Sequence, residues 1–213
     1  MTVTDPLPGA GVVLAGGRST RYGGGDKALA DLAGTPMLRR VVDRLAPAVD
    51  SLVINCRREQ TDALRAAMAG SPLPIRFAED SVPDLGPLGG IRTGLRAVTE
   101  QDEHEYTFVV ACDMPFLDPE FVSYLFDRAA GHDAAVPRID EWFQTTHAVY
   151  RTEAMAAACH AALERGEGKT LAALAELDYV VVGRDELDQH ATLEVFRNCN
   201  TPEEVEAAAE EFE

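Results

Sequence analysis

The stretch 12-VVLAGGRSTRYGGGDKALADLAG-34 decides the fold. An apolar run ends at Gly16-Gly17 and opens into a glycine-rich loop that carries Arg18, Arg21 and Lys27. In open α/β sheets, ligands bind beyond the carboxyl ends of the strands, where a loop of this kind presents its backbone N–H groups. Glycine matters there because a side chain would keep the backbone away from a phosphate. The arginines supply forked donors and Lys27 a compact cation. The competing reading is a flexible turn with a few solubilising cations, and the rest of the chain separates the two.

The loop fits neither of two familiar phosphate motifs. A Walker A loop needs G-x-x-x-x-G-K-[ST], whereas Asp26 and Ala28 flank Lys27 here. The dinucleotide fingerprint needs a strand that turns at once into a helix, which the cations and the long loop before Leu29 do not allow. The segment 166-GEGKT-170 imitates a Walker end, but its first glycine would fall on Leu163.

Working outward, short β-rich apolar runs alternate with helical patterns, the signature of βαβ units and a mainly parallel sheet. Strands are expected over Gly11 to Leu14, Ser51 to Asn55, Ile75 to Ala78, Tyr106 to Ala111 and Tyr179 to Val182. Helices are expected over Arg58 to Met68, Leu88 to Val98, Pro119 to Ala129 and Thr152 to Glu164. Thr35-Pro36 reads as an N-cap and first helical residue ahead of the apolar spacing Met37, Val41, Val42, Leu45. A last helix starts at Thr201-Pro202-Glu203-Glu204, where Thr201 caps and Glu204 closes a capping box. From Asp133 to Val149 the pattern changes to two strand-like runs, an added antiparallel pair. No repeat or linker divides the chain, so residues 1–213 are expected to form one α/β domain.

The formal charge is -17, with 36 acidic residues against 19 Lys plus Arg. So negative a surface repels nucleic acid and anionic lipid, and a triphosphate would need a local positive site and a metal ion. It also suits a salt-rich cytoplasm. No apolar run reaches the roughly 18 residues of a membrane span, and the expectation is a cytoplasmic protein. The four cysteines form no CxxC pair and read as buried thiols. None of the five histidines stands out, and His147 reads as an ordinary strand residue.

Two further segments belong with the loop. In 109-VVACDMPFL-117 an apolar strand ends at Asp113, which places a carboxylate at the same sheet edge, where it can hold Mg²⁺ for a triphosphate. In 79-EDSVPDLGPLGG-90, Asp80 or Asp84 can accept hydrogen bonds from a base or sugar.

LAGGRSTRYGGGDK, 34-GTP-36, Asn55, 79-EDSVPDLGPLGG-90, 111-ACDMP-115 and 197-RNCNTPEE-204 together resemble the molybdenum cofactor guanylyltransferase family, from about Val12 to Glu204. The opening signature is shared by many nucleotidyltransferases, and the later motifs carry the narrower likeness. The resemblance implies a three-layer Rossmann-like fold with a mainly parallel central sheet and a small antiparallel addition. It implies transfer of GMP from GTP to a molybdopterin-type acceptor with release of pyrophosphate. It also brings in transient contact with cofactor-inserting proteins or molybdoenzymes.

By the same resemblance, Leu14, Ala15, Gly16 and Gly17 hold GTP with Lys27, Asn55, Asp80 and Asp113, and Asp113 binds Mg²⁺. Arg21, Lys27 and Asp113 are the catalytic candidates, and Asn198 and Asn200 lie on the acceptor side. Two departures fall in the acceptor half, where Gln144-Thr145 replaces a His-Pro pair and Gly168-Lys169 a basic pair. Rival readings are a transferase that uses CTP or another phosphate acceptor, such as cobinamide phosphate or a sugar phosphate, and a non-catalytic nucleotide-binding protein.

Overall fold

The computed structural model describes residues 9–19, 22–23, 25–82, 85–100 and 104–212. Its framework is a mixed sheet ordered β10-β7-β9-β6-β1-β4-β5, with β8 paired to β7. The strands are β1 (Ala10–Leu14), β4 (Ser51–Cys56), β5 (Ile75–Glu79), β6 (Tyr106–Ala111), β7 (Ala134–Ile139), β8 (Trp142–Phe143), β9 (His147–Arg151) and β10 (Tyr179–Val182). A separate ribbon pairs β2 (Asp31–Leu32) with β3 (Thr35–Pro36).

β1 lies parallel between β4 and β6, so Leu14 stands beside both Asn55 and Ala111. All three strands therefore deliver their carboxyl ends to one edge. The expected antiparallel pair is present as β7 and β9, but it is not an appendage: β9 runs antiparallel to both β6 and β7, inside the sheet.

The helices are α1 (Met37–Leu45), α2 (Thr61–Ala67), α3 (Gly86–Thr99), α4 (Pro119–Ala129), α5 (Thr152–Glu164), α6 (Thr170–Leu174), α7 (Arg184–His190) and α8 (Pro202–Ala209). Alternation along the strands sorts the core into two layers, because successive side chains leave a strand on opposite faces. Val13, Phe108 and Val110 pack with Leu38 and Val41 of α1 and Phe121 and Leu125 of α4. Val12 and Val109 pack on the other face with Ile91 and Leu95 of α3 and Met155 of α5. At Gly94 an added Cβ would lie 2.4 Å from Val12 Cγ1, so glycine sets the close approach of α3 to the sheet.

One local expectation is corrected. Thr35 does not cap α1 and Pro36 is not its first residue: both belong to β3, and Pro36 is the N-cap position without a side-chain hydrogen bond. The turn between β2 and β3 explains this. Ala33 and Gly34 both take positive φ, 51° and 75°, as a tight antiparallel hairpin requires. The hairpin draws Thr35 into pairing with Leu32 before the helix begins. Arg40 of α1 fixes the arrangement by donating to the carbonyls of Leu32 and Ala33. At α8, by contrast, Thr201 and Glu204 form the expected reciprocal capping box.

Candidate active site

A cavity of about 650 Å³ opens at the carboxyl ends of β1, β4 and β6. Leu14, Ala15, Gly16, Gly17, Lys27, Asn55, Asp80, Asp113, Asn198 and Asn200 all line it. Residues distant in sequence are thus brought together at one cavity. Arg21 and Asp84 lie outside the described residues.

The approach to the sheet is close enough to require glycine. A Cβ at Gly16 would sit 2.8 Å from Asp80 Oδ2, and one at Gly90 would sit 2.5 Å from Asn55 Oδ1. Asn55 is pinned between these glycines: its Nδ2 donates to Ala78 O at 3.2 Å and to Asp80 Oδ1 at 2.8 Å. One Asp80 oxygen is thereby committed to Asn55. The other faces Gly16, where an acceptor-only group can meet a donor edge of a base or ribose hydroxyls.

On the opposite wall, Lys27 Nζ pairs with Asp113 Oδ2 and donates to Asn200 Oδ1 at 3.0 Å. Asn200 therefore belongs to the cation's surroundings as well as to the far wall. Asn198, whose Nδ2 donates to Phe196 O at 3.2 Å, lies beside it. The backbone joins these pieces, since Cys112 N–H donates to Leu14 O and Cys199 N–H to Asp113 O. Burial pushes the thiol of Cys199 up to about 11 and raises that of Cys112 as well, so both cysteines next to the site are protonated packing groups.

Asp113 is buried, and its Oδ1 has no hydrogen-bond partner among the described residues. Among the described residues, no group of three or more His, Cys, Asp or Glu converges to hold a metal ion. The donor set fits Mg²⁺ in a different way, because that ion is commonly held by one or two carboxylates together with substrate phosphates. Asp113 offers one such oxygen in a cavity of nucleotide size.

Several residues at the cavity are given no individual role by the sequence. Arg57, Thr146 and Gly90 line the cavity, and Gln60 donates to Ala15 O at 3.0 Å. Arg57 and Gln60 lie two and five residues beyond Asn55, in the turn after β4, and no motif marks them. Of the two departures from the family pattern, Gln144 and Thr145 stay off the cavity wall, while the next residue, Thr146, lines it. Lys169 is the residue before α6 and also lies off that wall.

Residues 11–180 match the model of the MobA-like NTP transferase domain. Fold and site thus define an α/β nucleotidyltransferase. A Natronomonas pharaonis protein named "Probable molybdenum cofactor guanylyltransferase" is 52% identical over 200 residues, covering 94% of this chain and 96% of its own. A Haloferax mediterranei protein of the same name is 40% identical over 93% of this chain and 91% of its own. A crystal structure of molybdopterin-guanine dinucleotide biosynthesis protein A from Archaeoglobus fulgidus superposes with a TM-score of 0.75 at 27% identity, covering 95% of this chain and 98% of that one. The chain belongs to the molybdenum cofactor guanylyltransferase family. Among the described residues, no helix is long and apolar enough to cross a membrane.

Proposed function

We propose that the protein transfers GMP from GTP to the molybdopterin-bound molybdenum cofactor, releasing pyrophosphate and forming the guanine dinucleotide cofactor for hand-over to a cofactor-inserting protein or molybdoenzyme. The observation that carries this reading is the cavity in which the glycine loop, Lys27 and Asp113 meet at one sheet edge.

In the reaction, a terminal phosphate oxygen of the acceptor forms a bond to the α-phosphorus of GTP. The bond from that phosphorus to the bridging oxygen breaks, and pyrophosphate leaves with the electron pair. An acceptor phosphate is already ionised near neutral pH, so no strong general base is needed. Positioning and charge neutralisation carry most of such catalysis. Gly16 and Gly17 bring the backbone to the phosphates without side-chain obstruction. Lys27, held by Asn200, offers its charge to the same phosphates. Asn55 fixes Asp80, whose remaining oxygen accepts from N1–H and N2–H₂ of guanine. Asp113, with its unpartnered Oδ1, would hold Mg²⁺, which when bound neutralises charge on the departing pyrophosphate.

A pyrophosphate-release assay that crosses the four nucleoside triphosphates with and without a molybdopterin-type acceptor, at several Mg²⁺ concentrations, tests this reading. Acceptor-dependent release from GTP is expected. Equal release from GTP, CTP and ATP would overturn the guanylyl assignment and leave the fold untouched.

A further inference from the structure

Three consecutive carbonyls of the glycine loop are gripped from one side. Arg57 Nη1 donates to Gly16 O at 2.7 Å and also to Gly17 O. Gln60 Nε2 donates to Ala15 O at 3.0 Å. The gripping residues are themselves braced: Gln60 Oε1 accepts from Arg57 N–H at 2.9 Å, and Arg57 Nε donates to Glu59 Oε1 at 2.8 Å. A short turn after β4 therefore holds the loop that follows β1.

Peptide geometry turns this grip into an orientation. In a trans peptide the carbonyl of one residue and the N–H of the next point in opposite directions, and the described residues contain no cis peptide. Drawing the oxygens of Ala15, Gly16 and Gly17 towards Arg57 and Gln60 turns the N–H groups of Gly16, Gly17 and Arg18 away from them. Those of Gly16 and Gly17 have no acceptor among the described residues. Successive N–H groups held to one side form a concave anion site. An arginine suits the task because its planar group directs hydrogens along fixed lines, which a lysine does not.

Gln60 also reaches the other end of the loop. Its Nε2 donates to Asp26 Oδ2 at 2.6 Å, and Asp26 Oδ1 accepts from Ala28 N–H at 3.1 Å. That second bond caps the 3₁₀ turn Lys27–Leu29, which carries the cation. One side chain thus links the N–H groups at the start of the loop to Lys27 at its end.

We propose that Arg57 and Gln60 are positioning residues for the triphosphate: Arg57 aims the loop amides, and Gln60 fixes the spacing between those amides and Lys27. This rests on the nucleotide reading of the cavity given above. Neither residue has to touch the phosphates, since the hydrogen bonds that define the role run to loop carbonyls and to Asp26.

The test compares Arg57→Met and Gln60→Met with the unaltered protein, using isothermal titration with guanosine, GTP and pyrophosphate as probes and circular dichroism melts as the check on folding. Both variants are expected to bind GTP and pyrophosphate about ten-fold more weakly or worse, the scale of one hydrogen bond to a charged group. Guanosine, which lacks phosphate, is expected to change by less than about two-fold. Parallel loss of guanosine and GTP would reduce the pair to a general structural role, and unchanged GTP binding would also overturn the proposal. Should Arg57→Met not fold, Gln60→Met alone decides the matter by the same ratio. Failure of the guanylyl reading is distinguishable, because the unaltered protein would then show no preference for GTP. The ratio of triphosphate to nucleoside affinity would still be read on whichever nucleotide binds.

Discussion

The two halves of the sheet meet at β6 and treat buried polarity differently. On the parallel side, Asp113 is buried with Oδ1 unpartnered, yet it lines an open cavity and pairs with Lys27 through its other oxygen. On the antiparallel side, His147 of β9 is fully buried, and both ring nitrogens are unpartnered among the described residues. Its neighbours there are the rings of Phe108, Phe121 and Phe196. An orphaned polar atom is therefore not a site by itself. What separates the two is the space beside it, since a ligand can complete Asp113 and nothing of that size can reach His147.

Removing Asp113 is the sharpest way to break this comparison. Asp113→Ala is expected to lower the rate of pyrophosphate release by ~10²–10³-fold, the loss typical of one preorganised electrostatic group. GTP affinity should fall less than the rate. Near-normal turnover in the presence of Mg²⁺ would remove Asp113 from the chemistry. Lys27→Ala comes next, with an expected cost of ~1.5–3 kcal/mol in GTP binding, the scale of a charged hydrogen bond. The same substitution leaves Asp113 without its cation, so single-turnover rates should fall as well. Unchanged affinity and rate would return the loop to a solubilising turn.

Gly90 tests how the cavity is built rather than what it does. A Cβ there would press on Asn55 Oδ1, displacing the side chain that holds Asp80. Gly90→Ala is expected to cost ~1–3 kcal/mol of stability, the usual range for overpacking, together with weaker discrimination between GTP and ATP. Urea unfolding and paired nucleotide titrations measure the two effects. Loss of stability with discrimination intact would separate Asn55 from base choice.

Much of the parallel half was legible because its signals are local. Apolar runs such as Tyr106–Ala111 end in a chemically distinct residue, and each end lands on the same edge once the strands lie parallel. Pro119–Ala129 and Thr152–Glu164 were legible from periodicity, and α8 from its capping box. Thr35-Pro36 misled because a hairpin two residues earlier claims the cap, and hairpin pairing is not written in a helix-start motif. Arg57 and Gln60 stayed hidden for a related reason. The loop carbonyls they hold lie forty or more residues upstream, and a contact between side chain and main chain leaves no mark on the partner's residue type. β9 was expected as half of an added pair, but its place between β6 and β7 depends on long-range pairing alone.

The antiparallel half supplies the smallest effect and the cleanest sign. Burial pushes the pKa of His147 down to about 3 from its ordinary 6.5, because the interior solvates the charged ring poorly. The folded protein therefore keeps the ring neutral while the unfolded chain takes up a proton. The stability that a neutral His147 allows is complete above the unfolded value, and it drains away as pH falls from 6.5 towards 3. Between neutrality and one pH unit below the unfolded value, the loss is about 1 kcal/mol, from the equivalence of one pKa unit with ~1.4 kcal/mol. His147→Phe keeps an aromatic ring among Phe108, Phe121 and Phe196 and removes the titration. Urea melts of the two proteins across that range should converge at neutral pH in their pH slope and separate as acid is added, with the variant the flatter. Parallel slopes would mean that a proton or a water reaches the ring, and the contrast with Asp113 would then be one of degree.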